Sequence, residues 1–133
     1  MRKLMMLFAA VLFLSIGVLA QGKFDKWPEM KTYHGTLSQT FHPAEEGDLK
    51  PIRTRSHELY ANAKLVAASP IPGEYDNDDI RKLIKRMVKE ADKLNALVVL
   101  QEQNTTIMKQ FNIVHSTFHE IAGMCKKEEK QAK

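Results

Sequence analysis

The chain has 133 residues, a formal net charge of +4 and one cysteine. A single domain with one modest core fits that length. So small a basic excess does not argue for a nucleic-acid partner, and a lone thiol excludes an internal disulfide.

The first residues bear on compartment. Arg2 and Lys3 precede an apolar run from Leu4 to Leu19, interrupted by Ser15 and Gly17, and small residues stand at Val18-Leu19-Ala20. This is the pattern of a secretory signal peptide, residues 1–20, cut after Ala20. The run is shorter than the ~20 residues of a membrane-spanning helix, so the mature chain is expected to carry no membrane span. No cysteine stands near the cut to suggest a lipoprotein. The expected product is a periplasmic or secreted protein, residues 21–133, folded as a four-helix-bundle domain.

In the mature part, Pro28 suits the first position of a helix, and Met30, His34, Leu37 and Phe41 follow at intervals of 4, 3 and 4. That spacing marks one buried stripe, with His34 at a core position. Pro43 disfavours helical geometry at His42, which predicts an end near there and a polar connection over Ala44 to Gly47. Asp48 is the expected cap of a second helix with Leu49, Ile52, Ser56, Leu59, Ala63 and Val66 inward. Pro51 is tolerated in its first turn, and Ser69-Pro70-Ile71-Pro72-Gly73 stops it.

Asn77 can cap a third helix, where Asp78 and Asp79 favour the positive end of the dipole. Its stripe is Ile80, Ile84, Met87, Ala91, Leu94 and Val98, and Arg81, Lys82, Lys85, Arg86, Lys89 and Lys93 form a solvated basic face. Asn104-Thr105-Thr106 makes a tight connection to a fourth helix with Ile107, Phe111, Val114, Phe118, Ile121 and Cys125 inward, and Lys126 onward reads as a frayed charged tail. The fold class predicted is all-α, an up-down-up-down four-helix bundle preceded by a signal peptide. Cys125 is then buried, paired with a second copy in a homodimer, or a ligand.

In such a bundle the first and last helices are antiparallel neighbours. If Pro28 lies level with Glu128, His34 comes beside His119 and His42 beside His115. His115 and His119 are four apart and share a helix face about 6 Å apart along the axis, a spacing at which two imidazoles grip one ion. His34 and His42 are eight apart, about 12 Å along a straight helix, so one ion takes His34, His115 and His119, with His42 joining if the chain bends, or two ions sit side by side. Glu45 and Glu46 follow the Pro43 break and can swing toward this level, while Glu120 and Cys125 lie on the last helix. The candidate metal set is His34, His42, His115, His119 and Glu46. Imidazoles with one carboxylate suit zinc, copper or nickel better than calcium or magnesium. His57, among Arg53, Arg55 and Glu58, reads as an ordinary polar residue.

With its export signal, four helices and chemical residues on the last helix, the mature chain resembles the cytochrome c′ and cytochrome b562 group of periplasmic four-helix bundles. In cytochrome c′ the last helix bears Cys-x-x-Cys-His. The comparable stretch here is His115-Ser116-Thr117-Phe118-His119, where His119 matches the iron-ligand histidine and His115 and Phe118 replace the cysteines. The missing cysteines exclude covalent haem, and the added His34 and His42 suggest a non-haem metal in an equivalent place. Within the resemblance, the alternative is a noncovalent haem with His119 as one axial ligand and Met30 or His34 opposite. A third reading is a cofactor-free helical adaptor or stress protein that meets a partner through its basic helix or tail. With no Gly-rich phosphate loop, nucleophile elbow or carboxylate pair on adjacent core positions, an enzyme is not expected.

Overall fold

The computed structural model describes residues 24–131, so the signal-peptide expectation for residues 1–20 lies outside the described residues. Among the described residues there are four α-helices and no strand: α1 (Pro28–Glu45), α2 (Lys50–Ala68), α3 (Asp78–Val99) and α4 (Asn104–Gln131), with a short 3-10 turn at Gly73–Tyr75 between α2 and α3. This all-helical fold is compatible with a helical bundle. No described helix is long and apolar enough to cross a membrane.

The stripes of α2, α3 and α4 are buried as their periodicity predicts, from Ile52 to Val66, Ile80 to Val98 and Ile107 to Cys125. Asn77 caps α3 by accepting a hydrogen bond from the Ile80 N–H at 2.9 Å. Every residue of the basic face named on α3 is exposed. Arg81 meets Asp76 and Asp78, and Arg86 meets Glu90 and, across to α4, Glu120.

Four local expectations are corrected. On α1 the buried residues are Met30, Tyr33, Thr36, Leu37, Thr40, Phe41 and Ala44, and His34 is exposed. Met30, Leu37 and Phe41 keep their places in the stripe, and the fourth place passes from His34 to the preceding residue Tyr33, because Thr36, Thr40 and Ala44 widen the buried face on that side. The Thr40 hydroxyl donates to the Thr36 carbonyl at 2.8 Å, so this polar side chain is buried with its hydroxyl satisfied. Secondly, α1 runs through Pro43 to Glu45. Pro43 lies in the last turn, where its missing N–H removes one ladder bond without stopping a helix already about to end.

The end of α1 is a Schellman motif: the Asp48 N–H donates to the Pro43 carbonyl at 2.9 Å and the Gly47 N–H to that of Ala44 at 3.0 Å. Gly47 sits at φ +92°, where a side chain is strained. In the third correction, Leu49 rather than Asp48 is the N-cap residue of α2, and Asp48 works from one position earlier by accepting from the Lys50 N–H at 3.1 Å. Fourthly, Lys126 to Gln131 are not a frayed tail, because α4 continues through them. The Tyr75 hydroxyl donates to the Glu129 carboxylate and holds that end.

Three further contacts join the ends of elements. Trp27, the N-cap of α1, donates from Nε1 to Ser69 Oγ, the C-cap of α2, at 3.4 Å, and its ring stacks on Tyr75. Arg53, in the first turn of α2, donates from Nη2 to the Glu102 carbonyl and to Asn104 Oδ1, both at 2.7 Å, at the junction of α3 and α4. Between α1 and α4 the contact is sparser than between consecutive helices, and it is carried largely by rings. Cys125 is fully buried on α4, the first of the three states its single occurrence allowed.

Candidate metal centre on the seam of the first and last helices

The seam is built from two helical faces. On α1, residues 34, 38, 41 and 45 recur at intervals of 4, 3 and 4 and so share one face. On α4, His115 and His119 are one turn apart, and Phe111 and Phe118 flank them from the buried side. Rings from the two faces interleave. His34 stacks on Phe118 at a centroid distance of 4.7 Å and 12° between planes, with Phe24 edge-on to both the imidazole and Trp27. Phe41 stacks on His115 at 3.7 Å and 10°, and meets Phe111 edge-on at 5.0 Å. The levels His34 with Phe118 and Phe41 with His115 follow from an antiparallel pairing close to the assumed register.

His115 is the centre of this arrangement. One face of its ring is closed by Phe41, and its edge is turned to His119, the two Nε2 atoms lying 3.0 Å apart. Such a contact holds one proton, donated by one neutral imidazole to the lone pair of the other. Burial pushes the His115 pKa below its ordinary value, and the charge of His119 pushes it the same way. Glu45 pulls it up, while His42 and His34 lower it. Burial and neighbouring positive charge therefore favour the neutral imidazole, the form that binds metal.

Of the remaining candidates, His34 is exposed beside Phe118. His42 is exposed, and its Nδ1 lies 3.4 Å from Glu45 Oε2 across three residues. Glu46 is the exposed C-cap of α1, with its backbone N–H donating to the Pro43 carbonyl at 3.1 Å. The Glu120 carboxylate is taken by Arg86, and Cys125 lies in the core. His57 is exposed on α2, in keeping with an ordinary polar role. Among the described residues no group of three or more His, Cys, Asp or Glu side chains is gathered tightly enough to hold one ion. What the fold brings together closely is the pair His115 and His119, with His42 and Glu45 at the adjoining end of α1.

Two contributions were not singled out from the sequence. The stacking roles of Phe41 and Phe118 looked like core filling, and their neighbours across the seam are more than seventy residues away in the chain. The candidate set drawn from the sequence holds Glu46 and not Glu45, whereas the i+3 spacing of Glu45 from His42 and its i+4 spacing from Phe41 place Glu45 on the seam face. No family model matches this chain, and no curated protein and no solved structure matches it either.

Proposed function

We propose that this chain is an exported, non-enzymatic metal-binding protein, an up-down-up-down four-helix bundle whose first and last helices hold a zinc, copper or nickel ion. The observation that carries this reading is the His115 and His119 pair, with Nε2 atoms 3.0 Å apart on one turn of α4. An ion about 2.0–2.1 Å from each nitrogen at a tetrahedral angle asks for a separation of roughly 3.3 Å, a change of a few tenths of an ångström. For both Nε2 lone pairs to face an ion, the donor ring would take its other neutral tautomer, its proton passing through solvent from Nε2 to Nδ1, and the stack on Phe41 supports the His115 ring from behind. The ion would act as cargo, a buffered species or a sensed signal. The chain's own residues contribute neutral imidazoles held at the edge of the core.

Elemental analysis and titration of the purified mature protein test this reading. Zinc, copper or nickel is expected to bind well below millimolar, and His115→Ala with His119→Ala is expected to abolish binding. Binding no tighter than millimolar, or unchanged in the double variant, overturns it.

A cofactor-free adaptor is the second reading, favoured by the exposure of both His34 and His119. It accounts for the 3.0 Å contact as a hydrogen bond between neutral rings, and it predicts no metal uptake in the same titration. Noncovalent haem ranks below both, because axial ligands belong in an interior slot and His119 is exposed while Met30 is fully buried. Its signature is a Soret band on mixing with haemin.

A further inference from the structure

We propose that the exposed face of α3 is a membrane-docking surface, on which four lysines engage anionic lipid headgroups while Val99 and Leu100 enter the surface of the bilayer. The proposal does not depend on the metal-binding reading. Helix geometry sets the row. At roughly 100° per residue, Lys82, Lys85, Lys89, Lys93 and Leu100 fall within an arc of about 80°, along about 27 Å of helix. All five are exposed.

The charges of this row are uncommitted. Among the described residues none of the four lysines is in a salt bridge, whereas both arginines of α3 are: Arg81 meets Asp76 and Asp78, and Arg86 meets Glu90 and Glu120. Asp78, which heads the row, is thus neutralised within the molecule. Asp79 and Asp92 stand to either side of the row, and no acid falls inside it between Lys82 and Leu100. The choice of cation selects the partner. Arginine, with its planar fork, suits the carboxylates of a protein, and here both arginines are engaged inside the fold. Lysines are flexible point charges whose stems lie along apolar surface while the ammonium reaches out. A row of them fits a surface of mobile, closely spaced phosphates, and four basic residues on one helix face reach the density at which anionic lipid is bound.

The apolar end of the row is an independent observation. Val99 and Leu100 are 72% and 70% exposed, the most exposed of the large apolar side chains among the described residues. They stand together at the corner where α3 gives way to the turn before α4. The backbone there is already bonded: the Leu100 N–H donates to the Ala96 carbonyl, the Gln101 N–H to that of Val98 and the Glu102 N–H to that of Leu97. The tip therefore carries few open ladder groups into a less polar zone. Attachment to a lipid surface gains from buried apolar area and from attraction to anionic lipid together, and this face offers both.

Co-sedimentation of the mature chain with vesicles, at low ionic strength and with chelator present, tests the proposal. Binding is expected to vesicles of phosphatidylcholine and phosphatidylglycerol in equal parts, and is expected to be lost with phosphatidylcholine alone or in high salt. Lys85→Gln with Lys89→Gln is expected to weaken it about twenty-five-fold, about fivefold for each lysine near the surface. The charge-matched control is Lys26→Gln with Lys31→Gln, beside α1, which packs on α2 and α4 as α3 does and so lies across the bundle. That pair should change binding by less than about twofold, since charges far from the surface are screened. Val99→Ser with Leu100→Ser should weaken binding about tenfold at unchanged net charge. All six positions are on the surface, and circular dichroism checks the fold of each variant. Equal binding to the two kinds of vesicle, wild-type affinity in the Lys85 and Lys89 variant, or equal losses in the two lysine pairs overturns the proposal. A loss confined to the Lys85 and Lys89 variant, with the Val99 and Leu100 variant binding as wild type, overturns the membrane assignment and leaves an acidic protein as the partner of the row.

Discussion

At the scale of single residues, Tyr33 shows what the changed place in the α1 stripe costs. It is fully buried where the sequence pattern put His34, and its hydroxyl has no hydrogen-bond partner among the described residues. Burial, and then the nearby Glu90 carboxylate, push its pKa well above the ordinary tyrosine value, so the phenol stays protonated. A buried hydroxyl without a partner costs roughly 1–3 kcal/mol. Tyr33→Phe, which keeps the ring against Phe118, is therefore expected to leave the melting temperature unchanged or to raise it by up to a few degrees. A clear fall would show that the hydroxyl is bonded in solution. For His115 the sign of the pH effect follows from its lowered pKa, caused first by burial and then by His119. The unfolded chain takes up the proton first, near pH ~6.5. The stability held by neutral His115 is thus present above that value and is lost as pH falls through the lower folded pKa. With metal removed by chelator, thermal melts between pH 7.5 and 5 should fall less steeply for His115→Gln than for wild type, and parallel curves would remove this account.

At the scale of elements, two helix ends differ in one residue that decides their strain. After α1 the left-handed position is Gly47, φ +92°, and after α3 it is Gln101, φ 55°. The second end is also a Schellman motif, with the Gln101 N–H bonded to the Val98 carbonyl and the Glu102 N–H to that of Leu97. A side chain in this region costs about 1–2 kcal/mol, partly offset by the roughly 0.5–1 kcal/mol entropy that glycine loses on folding. Gln101→Gly is thus expected to raise stability by up to about 1 kcal/mol in chemical denaturation. Gly47→Ala is expected to lose about the same amount through the backbone alone, since an added Cβ there meets nothing within 4 Å. A loss in the first or a gain in the second would contradict these conformations. Apolar periodicity made the apolar stripes of α2, α3 and α4 legible, while Gln110 and Thr117 of α4 are buried outside it through hydrogen bonds to Glu90. On α1 it placed Met30, Leu37 and Phe41 and missed Tyr33, Thr36 and Thr40, the two threonines being buried with their hydroxyls satisfied by Asn62 and by the helix backbone. It also missed the ordered end of α4, since the Tyr75 contact spans 54 residues. The histidine pair was legible from its i,i+4 spacing, whereas the stack of Phe41 on His115 depends on how α1 meets α4.

At the scale of the molecule, the candidate site lies where the fold is held least. Each helix packs extensively on its neighbour in sequence, while α1 and α4 meet more sparsely, mainly through stacked rings. An ion bound by His115 and His119 of α4 and by a side chain of α1 would cross-link the first helix to the last at that seam. Binding that favours the folded state stabilises it by about 2.7 kcal/mol at a hundredfold excess over the dissociation constant. For a chain of this size that is a rise on the order of ten degrees in melting temperature. The gain must depend on pH, because each imidazole ligand competes with a proton and several protonate together. Zinc is therefore expected to raise the melting temperature at pH 7.5, and the gain is expected to vanish by about pH 5, more than one unit below the ordinary histidine pKa. Paired thermal melts with Zn²⁺ and with chelator at the two pH values measure it. A gain of equal size at both would mean that carboxylates alone hold the ion, and the His115 and His119 pair would have to be given up as its ligands. A gain at pH 7.5 that survives in His115→Ala with His119→Ala would lead to the same conclusion without any change of pH.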